Sequence, residues 1–231
     1  MADIKFSLSE FAAYMAAGAG SRRTQLTAKK FPKDEDKIPG KYYAPVVKLI
    51  REYHDGGHHP EWLESKAQVH DGKAAALLAD APTADGPKAK YKADQHQNFA
   101  RVLRSYRSHF AKKRFQVRTQ IDIPYTIDNV RISIRPDLHV LQGQTEKIIK
   151  FWCKDDQAKH RPKSLEIRVI TQVMLDSANA HGHMMSGSQV LLFDVQTGQV
   201  HKGAKLGAQL GKDIVAECQA MEAVWQTLKQ R

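Results

Sequence analysis

Cysteine is nearly absent from this chain: Cys153 and Cys218 are the two in 231 residues. Two thiols are too few for a structural zinc site made of thiolates, and their separation rules out a CxxC motif. Reduced, mostly buried thiols are the expectation. Long apolar runs are missing as well. None approaches the roughly 18 residues of a membrane span, and the opening Met1-Ala2-Asp3-Ile4-Lys5 lacks the apolar core of a signal peptide. The chain is therefore expected in the cytoplasm, with no membrane partner. There is no internal repeat and no serine or cysteine nucleophile motif. In Gly207-Ala208-Gln209-Leu210-Gly211-Lys212-Asp213 the glycines are too close for a phosphate loop, and Asp213 stands where Ser or Thr is required.

Negative charge is also in short supply: 25 acidic residues face 36 lysines and arginines, a net charge of +11. Such a surface attracts polyanions, because neutralising phosphates releases condensed counterions. Nucleic acid is the leading partner class, against a generic basic surface. With 42% hydrophobic residues, the chain can bury a core of one large domain or two small ones.

Ser7-Leu8-Ser9-Glu10 has the pattern of a capping box, predicting a helix that carries Phe11, Tyr14 and Met15 and ends at Gly18 and Gly20. Thr24 to Gly40, basic and punctuated by Pro32 and Pro39, reads as a loop or flap. A second helix spans Tyr42 to Tyr53. Gly72 to Lys90 reads as a flexible or irregular connection, with a short helix over Ala74 to Ala79 as the alternative. Phe99, Val102, Leu103, Tyr106 and Phe110 then recur on one helical face. Off that face lie Arg101, Arg104 and Arg107, followed by Lys112, Lys113 and Arg114, a candidate track for phosphates or a solvated basic surface. Residues 1–114 thus form a mainly helical N-terminal part, and 115–231 an α/β core with a C-terminal helix.

Phe115 to Ile123 alternates as a strand. From Val130 to Leu141, Ile132, Ile134, Leu138 and Val140 alternate with Arg131, Ser133, Arg135, Asp137 and His139, the two-residue period of a strand with one buried face. With Gly143-Gln144 as a two-residue turn, antiparallel register sets Asp137 opposite Lys150, His139 opposite Ile148, and Leu141 opposite Glu146. Facing residues sit about 4.5 to 5.5 Å apart at Cβ, so Asp137 and Lys150 can share a site or pair as ions. A helix from about Ser164 to Ala180 follows, closed by Gly182. Gln189 to Val195 is strand-like, Thr197-Gly198 is a turn, and a last helix covers about Asp213 to Leu228.

Two histidine groups remain. His54, His58 and His59 flank Gly56-Gly57, which reads as a surface loop before a metal site. His181 and His183 flank Gly182 at a helix end, where imidazolium suits free carbonyls.

Helix, three meandering strands, helix, strand, with Pro136-Asp137 on the second strand and a lysine on the third, resembles the core of the PD-(D/E)XK nuclease superfamily. The resemblance covers about Phe115 to Val200, with Ser7 to Gly20 similar to the leading helix of RecB-type members. It implies a restriction-endonuclease-like mixed sheet flanked by helices. Asp137 matches a magnesium ligand and Lys150 the lysine that places the attacking water. It departs at Ile148, where the family has Asp or Glu. Glu146 lies about 13 Å along an extended strand from Lys150, His139 faces Ile148, and Glu10 stands on the first helix; these are the candidates to complete the metal shell. Gln172 resembles the glutamine on the helix after the lysine strand, without the tyrosine expected after it.

Two functions follow from the resemblance. One is a nucleic-acid-binding protein, DNA ahead of RNA, with an altered site for magnesium-dependent phosphodiester hydrolysis, Arg135 joining the basic residues that contact the polyanion. The other is a catalytically inactive subunit that binds nucleic acid or protein as a scaffold in a bacterial or phage nucleic-acid-processing complex. A module that binds only an acidic protein partner is the third.

Overall fold

Strand β1 (Ile4–Ser7) leads directly into helix α1 (Leu8–Met15). Ser7 Oγ accepts from the Glu10 N–H and Glu10 Oε2 accepts from the Ser7 N–H at 2.7 Å, so both halves of the expected box form. The computed structural model describes residues 4–32, 43–79, 86–153, 162–204 and 208–229. Gly18 caps a further helix, α2 (Ala19–Lys30). Thr24 to Lys30 is thus helical and not a flap, because Leu26 is buried and Lys30 Nζ donates to the last carbonyls of the C-terminal helix. The rest of the predicted flap, 33–40, lies outside the described residues.

Helices α3 (Ala44–Asp55), α4 (Pro60–Ala79) and α5 (Gly86–Phe110) form one layer. The expected irregular connection from Gly72 is helical to Ala79, and α5 resumes at Gly86; 80–85 lie outside the described residues. Tertiary pairing overrides the weak local signal: Leu63, Ala67, His70 and Ala74 of α4 are buried, and Arg104 of α5 bonds both Glu64 and Asp71 of α4 at 2.9 and 2.6 Å.

The strands are β2 (Phe115–Val117), β3 (Tyr125–Ile127), β4 (Val130–Ser133), β5 (Leu138–Gln142) and β6 (Thr145–Trp152). Helix α6 (Ser164–Ala180) leads to β7 (Val190–Asp194) and β8 (Gln199–Lys202), and α7 (Ala208–Thr227) closes the chain. They build two sheets, of order β1-β4-β3 and β2-β5-β6-β7-β8. In the larger sheet β6 and β7 are parallel, with α6 as the crossover, and the other neighbours are antiparallel.

Two expected strands change sheet midway. Val130 to Leu141 is not one strand with one buried face. It breaks between Ser133 and Leu138, where Pro136 has no N–H for a ladder. Ile132 and Ile134 enter the core formed with α1, α6 and α7, while Leu138 and Val140 enter the core under α3 to α5. Its partner turns at the same corner: Phe115 to Ile123 is a strand only through Val117, and Ile123 bonds Ile134 in the smaller sheet's direction.

The large sheet therefore lies between two apolar layers, with Leu138, Ile149, Phe151, Leu191 and Phe193 on the α3–α5 side and Ile148, Trp152, Val190 and Leu192 on the other. No described helix is long and apolar enough to cross a membrane. Cys153 and Cys218 are both free thiols, and burial pushes the Cys218 thiol up to about 12.

Candidate functional site

The β5–β6 hairpin has the register that its turn implies. Gly143 takes φ +63, and His139 pairs with Ile148 and Leu141 with Glu146. Asp137, Lys150, His139, Ile148 and Glu146 consequently share the sheet face that α6 covers. Along that face the polar groups separate into two ends, with fully buried Ile148 between them.

At one end, Lys150 Nζ lies 3.0 Å from Asp137 Oδ2. The same oxygen accepts the Phe151 N–H at 2.7 Å, and Lys150 also donates to the Arg135 carbonyl at 3.2 Å. Pro136 explains the arrangement. The strand leaves its ladder there, so a side-chain oxygen of Asp137 takes the N–H that a backbone carbonyl would have accepted. Arg51 donates to the Asp137 carbonyl at 2.9 Å, fastening the corner to α3.

At the other end, three side chains from distant positions meet. Glu146 Oε1 is 2.6 Å from His139 Nε2 and 2.9 Å from His183 Nδ1. His139 is 7% exposed, and its Nδ1 donates to the Thr119 carbonyl at 2.8 Å. The two imidazole contacts hold the Glu146 carboxyl below its usual range, although burial opposes them as the largest single influence. His183 arrives through the end of α6. Gly182 at φ +85 gives its N–H to Asn179, and His183 gives its N–H to Ala178, the pair of bonds of a Schellman cap. Asn179 then clamps both the N–H and the carbonyl of Met185.

The remaining expected site residues disperse. Glu10 holds Ser7 and pairs with Lys29 at 3.0 Å, on α1. Gln172 donates to Asp176 on α6. Among the described residues, the one group of three or more metal-capable side chains is His139, Glu146 and His183. Asp137 and Glu10 are thus not brought together with His139 and Glu146. His54 turns inward to the Tyr106 hydroxyl at 2.7 Å, while His58 stacks on Trp62 and His59 pairs with Glu61, so these histidines do not converge. His181 does bond a helix-end carbonyl, that of Ser177, as its position implied, whereas His183 does not.

The basic residues divide similarly. Arg104 and Arg107 are paired with α4 carboxylates, Arg135 with Asp122, and Arg101 bonds Asn98. Lys112, Lys113 and Arg114 follow α5 and line an opening of about 560 Å³ with Tyr53, His58 and Pro60. Among the described residues none of the three has an ion-pair partner. Burial, then the neighbouring Lys147 and Lys202, lower the Lys113 pKa.

His183 is the residue that sequence reading missed. The signal was available only with topology: a parallel β6–β7 pair pairs Ile148 with Val190, so residues just before Val190 must pass beside Glu146. No family model, curated protein sequence or solved structure matches the chain, and the reading of its site rests on this geometry.

Proposed function

We propose that the protein binds nucleic acid, on an α/β core of PD-(D/E)XK nuclease type whose Asp137 site holds a lysine ammonium in place of a metal ion. The carrying observation is the internal pairing of one Asp137 carboxylate oxygen. Its Oδ2 is engaged by Lys150 at 3.0 Å and by the Phe151 N–H at 2.7 Å. A magnesium site needs several oxygen ligands in near-octahedral geometry, and among the described residues Asp137 belongs to no group of three or more metal-capable side chains. The internal cation already balances the carboxylate. Binding without cleavage at Asp137 is therefore favoured over magnesium-dependent hydrolysis.

The order α5-β2-β5-β6-α6-β7 supports the nuclease-type reading, with β3 and β4 of the smaller sheet inserted between β2 and β5. For the partner, the support is Lys113 with Lys147 and Lys202 acting on it, flanked by Lys112 and Arg114 along the same opening. Cations crowded together without acids repel one another, and a phosphate backbone relieves that repulsion. The arginines of α5 contribute less, because α4 neutralises Arg104 and Arg107.

Fluorescence anisotropy with labelled DNA and RNA tests the reading across salt concentrations. Affinity is expected to survive EDTA and to fall with salt. Replacing Lys112, Lys113 and Arg114 together by alanine should reduce the log–log salt slope by about 2 to 3, near one per lost phosphate contact. Chelator-sensitive cleavage abolished by Asp137→Ala, or binding to heparin with none to nucleic acid, would reject it.

A further inference from the structure

We propose that His139, Glu146 and His183 form a binding site for one divalent transition-metal ion, with zinc the ion that the donors suit best. This site is separate from the Asp137–Lys150 pair and does not depend on the nucleic-acid reading.

The three donor atoms come from β5, from β6 and from the loop after α6, and all lie within 4.8 Å of one another. Zinc bound by imidazole and carboxylate at about 2.0 to 2.2 Å places tetrahedral ligands roughly 3.3 Å apart. The contacts to Glu146 Oε1 are 2.6 and 2.9 Å, so those two separations open by about half an ångström to admit the ion, and the two nitrogens, within 4.8 Å of each other, are in reach of it. Two imidazole nitrogens with one carboxylate oxygen suit borderline transition ions, whereas magnesium prefers oxygen throughout.

The surroundings are those of a prepared ligand set. A carbonyl only accepts, so the 2.8 Å contact with Thr119 places a proton on His139 Nδ1 and leaves Nε2 as the ring atom open to a metal. Nε2 lies 2.6 Å from Glu146 Oε1, a hydrogen bond whose proton a metal ion held between the two atoms would displace. Such a partner on the far ring nitrogen is the usual orienting contact of a metal-bound histidine. Gln189 Nε2 bonds the Glu146 carbonyl at 2.9 Å, and Asn179 clamps Met185 two residues past His183.

A second observation points the same way. Met184, next to His183, has φ +47 although it is not glycine, and its side chain is 85% exposed. The left-handed conformation is sterically unfavourable for a residue that carries a Cβ. The loop is held by the Gly182 cap on one side and by buried Met185, clamped by Asn179, on the other, and these anchors fix where His183 emerges. Three protein ligands also leave a fourth position for water or a substrate atom, as in zinc sites that polarise what they bind.

The full chain, prepared without a histidine tag and stripped of metal, is titrated with zinc by calorimetry, with cobalt absorption as the spectroscopic probe. The expected result is one ion per chain and tetrahedral or five-coordinate cobalt bands in the visible. Affinity should be weaker by more than a hundredfold in Glu146→Gln and in His183→Gln, with a thousandfold excess of magnesium unable to compete. His183→Gln alters a loop side chain, so it carries the test if Glu146→Gln fails to fold. Absence of stoichiometric binding, zinc binding unchanged in His183→Gln, or displacement by magnesium would each overturn the proposal.

Discussion

The two ends of the β5–β6 hairpin solve the same problem differently. Each presents a carboxylate on the sheet face under α6. Asp137 meets an ammonium and a backbone N–H, which together satisfy one oxygen from within the chain. Glu146 meets two imidazoles, whose charge depends on what they bind. Charge sign alone thus says little about a site; the decisive property is whether the chain supplies its own permanent cation.

The largest test of that contrast removes the carboxylate at the permanent end. Asp137→Leu leaves the Phe151 N–H without its acceptor and Lys150 without its counter-ion, with the Arg135 carbonyl still bonded to it. A loss of about 2 to 3 kcal/mol in urea unfolding is expected, somewhat below a fully buried pair because both side chains keep partial solvent access. A loss under about 0.5 kcal/mol would mean the pair is ornamental.

A histidine whose hydrogen-bond partner is uncharged sharpens the comparison. His54 is held by the Tyr106 hydroxyl, itself kept protonated by burial, and burial lowers the His54 pKa to about 4. The unfolded chain titrates near the ordinary value of about 6.5 and binds more protons between these limits, so stability rises with pH there. The contribution is complete above about pH 6.5 and is lost as pH falls through 4. Discounted for solvent access, it is on the order of 2 kcal/mol. Unfolding midpoints at pH 7 and pH 4.5 should converge in His54→Phe relative to wild type; equal acid sensitivity in both proteins would refute the assignment.

The smallest expected effect converts one end toward the other. Lys150→Glu sets a second carboxylate across from Asp137, where oxygen ligands can share a hard cation. Magnesium should then raise the variant's Tm by a few degrees, about 1 kcal/mol, while leaving wild type unmoved. If Tm stays constant in both, the bond to Phe151 keeps Asp137 out of reach.

Ile148 shows how the ends stay distinct. It is fully buried against the α6 layer, so a carboxylate at that position would have to enter an apolar core, with the attendant desolvation penalty. Packing alone accounts for an apolar residue at this position.

Much of the hairpin was legible in the sequence because its determinants are local. Gly143 permits the turn, the turn fixes the register, and the register places Asp137 against Lys150. The capping box at Ser7 and the Schellman cap at Gly182 are local for the same reason. Alternation misled at Pro136, since a two-residue period continues unchanged across a corner while the buried face reverses from one core to the other. Helix α4 was obscured by Gly72, which its packing against α5 tolerates.

The sequence by itself determined turns, caps, pairing register and the excess of positive charge, all consequences of backbone preference and composition over short spans. Tertiary structure alone decided which charges are neutralised, as α4 does for Arg104, and which histidine reaches which acid. His183 and Glu146 are 37 residues apart. They meet because α6 returns the chain to a parallel β7, and sheet order is set by the burial of two apolar layers that no local period encodes.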